Sequence, residues 1–248
     1  MTAKTRDIRS FARRRARKLS DRQSDLLSVA LPRLALELNS PAPLDLSELF
    51  PTSVREVWLE IGFGGGEHLI WQASRNRDIG FIGCEPFVDG LAKVLSAIEY
   101  QALTNVRLYC DDARNVLRWL PNGTLTRVFI LYPDPWPKRR HNKRRLFNAT
   151  LLHLLARAMI PGGEVRLATD IGDYARTSLL AVRQSQDFFW MADRASDWRL
   201  RPTDWPITRY NQKANHQGRR SYYLTFRRRQ TNGDNPRVDT KVGDCSKK

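Results

Sequence analysis

Cysteine is nearly absent from this chain. Cys84, Cys110 and Cys245 stand apart without repeated spacing, which argues against a disulfide framework and a cysteine zinc site. Cys84 and Cys110 lie inside apolar runs and read as small core hydrophobes. Histidine is also scarce, and the four residues show no ligand spacing, so no metal is expected. No apolar run approaches the length of a membrane span. The arginine-rich first residues lack the apolar stretch of a secretory signal. The expectation is a reduced, soluble, cytoplasmic protein with no membrane partner.

Acidic residues are lacking in three particular places. Residues 1–22 carry nine basic groups against two acidic ones. Residues 138–145 carry six basic groups and no acid, and residues 199–229 carry nine against one. The whole chain is +16, so everything outside these segments is mildly acidic. A solvated surface can also be basic, but three separate clusters read as a footprint for phosphates.

What is present is enough for one sizeable α/β core: 248 residues, 41% of them hydrophobic. A basic arm is expected over 1–22, a folded body over 23–229, and a polar, disordered tail over 230–248. Residues 23–39 have helical spacing, broken or bent at Pro32, and Ser40–Pro43 is a linker. Strands are expected at Glu56–Ile61, Ile79–Cys84, Val106–Cys110, Arg127–Tyr132 and Glu164–Thr169. Helices are expected between them, near 66–75, 88–101, 112–119, 144–158 and 172–185. That alternation implies a mostly parallel sheet covered on both faces. Asp187–Ala192 and Arg220–Arg227 then read as antiparallel edge strands joined by a long loop without helical period.

The first strand runs directly into Gly62-Phe-Gly64-Gly-Gly66. Glycines let a backbone turn sharply and approach a ligand. The dinucleotide fingerprint needs a glycine where this chain has Glu67, and an acid, Glu60, precedes the turn. A carboxylate there repels a pyrophosphate but suits a ligand with an ammonium and no phosphate, such as S-adenosylmethionine. Glu85 ends the second strand, where a carboxylate can accept from both ribose hydroxyls. Asp111 and Asp112 end the third, where an acid can accept from an adenine amine or merely cap a helix. The fourth strand ends in Pro133-Asp-Pro-Trp-Pro137, followed by the basic run Lys138–Arg145. Prolines hold Asp134 at the sheet edge, Trp136 could stack on a base or serve as a lid, and the basic run reads as a phosphate holder.

These motifs resemble the bacterial tRNA (guanine-N7-)-methyltransferases over roughly residues 8 to 228. The resemblance rests on Arg9-Ser-Phe11 with Arg17, the Glu60–Gly66 turn, Glu85, Asp112-Ala113, Pro133–Trp136, Lys138, His141–Arg145, Ala168-Thr-Asp170 and Thr208-Arg-Tyr210. It implies a single domain with the seven-stranded, Rossmann-like class I methyltransferase fold, acting on a guanosine in the tRNA variable loop as monomer or homodimer. By the same resemblance Glu60, Gly62, Gly64, Glu85, Asp112, Ala113 and Asp134 hold S-adenosylmethionine, and Asp134 is the catalytic residue. Lys138, Asp170, Thr208, Arg209, Tyr210 and Asn211 contact the RNA. The chain departs from the family pattern at Asn211, where glutamate is usual: asparagine is shorter and neutral and cannot offset a cation. An exocyclic-amine methyltransferase is the alternative, disfavoured because Asp134 is followed by one proline rather than two. A catalytically silent RNA-binding module is disfavoured by the intact acids.

Overall fold

A computed structural model describes residues 20–230. The rest of the basic arm and of the tail lies outside the described residues. Ser20, placed in the arm by its sequence, instead caps helix α1 (Asp21–Asp25): its hydroxyl accepts from the Gln23 N–H at 3.3 Å while Gln23 accepts in return from the Ser20 N–H at 3.0 Å. The helix continues through a π turn at Leu26–Ala30 into α2 (Leu31–Leu34). Pro32 has no N–H for the preceding turn, and the widened turn just before it absorbs the misfit.

Seven strands follow: β1 (Glu56–Ile61), β2 (Ile79–Cys84), β3 (Val106–Tyr109), β4 (Leu125–Leu131), β5 (Met159–Thr169), β6 (Phe188–Trp190) and β7 (Tyr222–Arg228). They form one sheet in the order β3-β2-β1-β4-β5-β7-β6. The first five are parallel. β7 runs antiparallel between β5 and β6. The expected pair of antiparallel edge strands is thus corrected: only β7 is reversed, it is internal, and β6 at the edge runs in the direction of β1 to β5.

Helices α3 (Glu67–Arg75), α4 (Val88–Tyr100), α5 (Ala113–Trp119), α6 (Ala149–Ala158) and α7 (Gly172–Gln184) follow β1 to β5 in turn. Strand periodicity sorts the core into two layers. Val57, Leu59 and Ile61 pack on one face with Val128 and Ile130, whereas Trp58 packs on the other with Phe81 and Phe129. Because both faces are covered, β2 is buried along its whole length. Two boundaries differ from expectation. β5 begins at Met159, and its register against β4 slips between Leu125 and Arg127, a bulge that takes up Gly162 and Gly163. α6 begins only at Ala149, capped by the Asn148 side chain, which accepts from the Leu151 N–H at 3.1 Å; the basic run before it is a 3₁₀ turn, Arg139–Arg144.

The long loop before β7 is also corrected, since it contains α8 (Ser196–Arg199) and α9 (Arg209–His216). Only Asn211 and Ala214 of α9 are buried, too few to show a helical period in the sequence.

Asn105, fully buried just before β3, ties that strand to the turn between α3 and β2: its amide shares its two N–H groups among the carbonyls of Ala73 (3.1 Å), Asn76 (3.0 Å) and Ile79 (2.9 Å). Asn105→Ala strands these acceptors and should cost about 2–3 kcal/mol of stability, read as a lower urea midpoint with an unchanged slope.

Candidate active site

The C-terminal ends of β1 to β4 surround a cleft of about 370 Å³. Gly62, past the end of β1, extends the ladder by donating to the Cys84 carbonyl at 2.8 Å. Gly62, Gly64 and Gly66 have φ of +75°, +55° and +77°, a region that side chains enter at a cost. The turn closes with the Gly66 N–H on the Phe63 carbonyl at 2.8 Å. Across it stands Glu85, whose carboxylate accepts from the Gly64 N–H at 2.7 Å and the Phe87 N–H at 3.0 Å. Burial raises the Glu85 carboxyl above its ordinary value, against those two N–H groups, which lower it.

Asp112 is both a cap and a cavity residue. It accepts from the Arg114 N–H at 3.0 Å at the start of α5, and it lines the cleft with Ala113. Burial pushes its carboxyl up, but the hydrogen bonds and charge of Arg114 prevail and hold it below the ordinary carboxylate value. Cys110 beside it is exposed, not the core residue expected, because β3 ends at Tyr109.

The β4 end is shaped by two residues in the left-handed region, Tyr132 (φ +50°) and Trp136 (φ +43°), bracketing Pro133-Asp134-Pro135. Each such non-glycine residue costs on the order of 1 kcal/mol, so something must hold the segment. Arg145 does. It is buried, donates from Nε to the Pro135 carbonyl at 3.0 Å, and anchors through Nη2 to Asp173 at 2.8 Å and through Nη1 to the Thr177 hydroxyl at 2.9 Å. This corrects the reading of the whole basic run as phosphate ligands: Lys138, Arg139, Arg140 and Lys143 are exposed, but Arg145 is structural. Arg144 lies over the Trp136 ring at 4.9 Å. Asp134 opens to solvent at the cleft wall, yet the surrounding protein displaces enough water to raise its carboxyl above the ordinary value.

α9 covers the glycine loop. The Tyr210 ring sits 3.4 Å from where a Cβ on Gly64 would lie, and it stacks on Tyr132 at 6.1 Å and 14°. Arg209 pairs with Glu67 at the start of α3. Thr208 caps α9, accepting from the Asn211 N–H at 3.3 Å. Asn211 is buried and donates to the hydroxyls of Tyr132 (3.1 Å) and Tyr223 (2.8 Å).

Of the residues singled out from the sequence, Gly62, Gly64, Glu85, Asp111, Asp112, Ala113, Asp134, Trp136 and Tyr210 meet in the cleft. Glu60 does not line it; it is buried against His68 at 2.7 Å. Lys138 lies outside on the surface, Asp170 holds Arg219 at 2.7 Å, and Thr208, Arg209 and Asn211 support α9 rather than the cavity wall. Sequence reasoning missed His68, Gln72 and Tyr132, and gave Arg145 the wrong role. The one available signal was His68 and Gln72 at i, i+4 among the apolar residues of α3.

A parallel sheet with one reversed internal strand, a glycine turn after β1 and acids closing β2 and β3 defines a class I methyltransferase. Comparison with known proteins agrees. A family model described as "Putative methyltransferase" matches residues 54–224. The tRNA (guanine-N(7)-)-methyltransferase of Chelativorans sp. (strain BNC1) is 50% identical, covering 87% of this chain and 93% of the relative. That of Rhizobium meliloti (strain 1021) is 49% identical, covering 88% and 94%. Among solved structures, the aminoglycoside resistance methyltransferase NpmB1 shares the fold alone, with TM-score 0.51 and 17% identity over 76% of this chain and 95% of that one. The chain belongs to the bacterial tRNA (guanine-N(7)-)-methyltransferase family.

The raised Asp134 carboxyl has a consequence for stability. Its folded value lies above its unfolded value, so the folded state binds the proton more tightly. The charged form is a burden present above the folded value and absent below the unfolded one. Asp134→Asn should therefore melt no lower than the parent at pH 7, with any advantage vanishing as the pH falls through the carboxylate range. A clear loss of Tm at pH 7 would contradict this.

Proposed function

We infer that this chain transfers the methyl group of S-adenosylmethionine to N7 of a guanine in tRNA, and that the target is a guanosine of the variable loop. The observation that carries the reading is that Asp134 shares one cleft with the glycine turn and with Glu85.

The residues fit that donor. Its bonding groups are an ammonium, a sulfonium, ribose hydroxyls and an adenine amine, and it has no phosphate. The cleft wall presents Glu85, Asp111, Asp112 and Asp134; of its cations, Arg114 is paired with Asp112, Arg145 with Asp173, and Arg144 lies over the Trp136 ring. Glu85 already takes two backbone N–H groups, and each oxygen keeps a lone pair for a ribose hydroxyl. Asp112 and Ala113 would face the adenine. When bound, S-adenosylmethionine supplies an electrophilic methyl group on a positively charged sulfur.

Guanine N7 carries a free lone pair, so no residue has to remove a proton from it first. The chain's task is alignment, which is where most of the acceleration in a displacement can come from. Asp134 is fixed by two prolines and by the Arg145 clamp on Pro135. Its carboxylate can accept from the guanine Watson–Crick edge and offset the positive charge arriving on the base. Tyr132 and Tyr210, stacked beside Gly64, would close over the reacting groups and exclude water. Lys138 and the exposed arginines of the 3₁₀ turn would take phosphates. Asn211 holds Tyr132 instead of reaching the base, so the glutamate usual in the family is replaced here by a donor to tyrosine hydroxyls.

Incubation with labelled S-adenosylmethionine and bulk tRNA should yield 7-methylguanosine on nucleoside digestion. Recovery of an N2- or N6-methylated base would hand the site to exocyclic-amine chemistry. Asp134→Ala should lose at least about a hundredfold in turnover, the order seen when one preorganised electrostatic group is removed, while donor and tRNA still bind; near-normal turnover would remove it from the mechanism. Affinity for tRNA should fall steeply with salt, as several phosphates exchange counterions for arginine and lysine. A flat dependence would make the basic clusters ordinary surface.

A further inference from the structure

Beneath the glycine turn runs a buried polar chain in which Glu60 is joined by two residues, His68 and Gln72, that no role above uses. Glu60 (3% exposed) comes from β1, and His68 and Gln72 (2% each) from α3. The His68 Nδ1 lies 2.7 Å from the Glu60 Oε2, and the Gln72 Nε2 lies 3.2 Å from the His68 Nε2. The same Gln72 nitrogen lies 2.7 Å from the Asp204 carbonyl oxygen. The rings of Phe129 and Trp205 approach the imidazole edge-on, at 4.5 Å and 5.7 Å between centroids.

The direction of these bonds is determined. A backbone carbonyl only accepts, so the amide nitrogen of Gln72 must face Asp204. That nitrogen also faces the His68 Nε2, which therefore accepts. A ring that accepts at Nε2 carries its proton on Nδ1 and donates it to Glu60. Gln72 thus sets the tautomer and His68 sets the carboxylate. With Oε2 taken, the Glu60 Oε1 has no hydrogen-bond partner among the described residues. That oxygen is not sealed in but keeps a narrow open edge, and it lies on the residue directly before Ile61-Gly62, which form the cleft wall.

We propose that His68 is a positioning residue for the methyl donor: it fixes the Glu60 carboxylate by one oxygen so that the other is presented to the donor's ammonium beneath the glycine turn. The inference rests on the reading of the cleft as the donor site. It also explains why an acid implied to bind the donor is found pinned under the loop rather than on the open wall. Asp204 lies on the segment leading to α9, so the same chain joins the floor of the donor site to the base of its tyrosine cover.

The test separates the two nitrogens of the ring. In His68→Asn the side-chain amide stands where Nδ1 stood and can still donate to Glu60. In His68→Gln it reaches instead to the place of Nε2. In His68→Leu both bonds are gone while the apolar contacts with Phe129 and Trp205 remain. Calorimetry of the full chain with S-adenosylhomocysteine, without RNA, should show about a tenfold loss of affinity for His68→Leu, as for one hydrogen bond to a charged group. His68→Asn should stay within about threefold of the parent, and His68→Gln should resemble the leucine variant. The KM for S-adenosylmethionine should rise in step, while kcat at saturating donor changes little, a split that general loosening of the fold would not produce. Parent-like affinity in a folded His68→Leu, or equal affinities for the asparagine and glutamine variants, would overturn the proposal. If the leucine variant does not fold, the asparagine–glutamine comparison decides alone. A parent protein that binds no S-adenosylhomocysteine would overturn the donor-site reading and this inference with it, a result visible before any variant is made.

Discussion

A parallel ladder places side chains at one level only where its register is fixed, and here Ile61 stands opposite Cys84 on one side and Ile130 on the other. Cys84 in turn stands opposite Tyr109, and Leu131 opposite Ala168. The glycine turn, Glu85, Asp112 and Asp134 all begin one to three residues beyond those pairs. A slip of one residue in β1 would turn Leu59 and Ile61 out of their layer and Trp58 into it, exchanging the two cores. The apolar burial of both faces is therefore what holds the glycine turn, Glu85, Asp112 and Asp134 around one cleft.

Register alone does not set the last ångström, and the loops are fixed by separate devices. The glycine turn is pinned on one side by the Glu85 carboxylate and on the other by α4, where a side chain at Gly90 would collide with the Gly64 carbonyl. The β4 end works the opposite way. Two left-handed non-glycine residues store strain there, and a buried arginine anchored on Asp173 and Thr177 keeps it from relaxing. Arg145 makes hydrogen bonds in several directions from one planar group, which a lysine could not copy. Strain held by a rigid clamp is a means of preorganising Asp134 before any ligand arrives.

The sheet was legible in the sequence because buried parallel strands announce themselves: β1 and β2 were read to the residue from their apolar runs and the turns that bound them. The sense of β7 was legible, but its place inside the sheet was not, because strand order depends on which edge a returning chain meets. The site was legible where one residue type serves one purpose, as with the glycine turn and the proline-flanked Asp134. It was illegible where a polar residue serves the interior. Arg145 looks like its basic neighbours in sequence and differs only in burial. His68 and Gln72 look like an ordinary polar pair until their partners, 8 and 132 residues away, are in place. The family resemblance implied an RNA contact for Asn211; its amide is turned to two tyrosine hydroxyls, one just past the end of β4 and one on β7.

The two ligands inferred for the cleft carry opposite charge, and the chain separates them by depth. Four acids, Glu85, Asp111, Asp112 and Asp134, line the interior, where a small cation with hydroxyls is to be held, and Arg114 and Arg145 there are each paired with an acid. The exposed lysine and arginines of the 3₁₀ turn lie outside that ring of acids. A polyanion is drawn to the rim by its phosphates and repelled by the interior, so what can enter is the part of it without charge, a base. The base gains positive charge as it reacts, which the interior favours and the rim does not. The same field that keeps the RNA backbone out therefore stabilises the product of the step inside, and the acidic interior and basic rim are two halves of one selection.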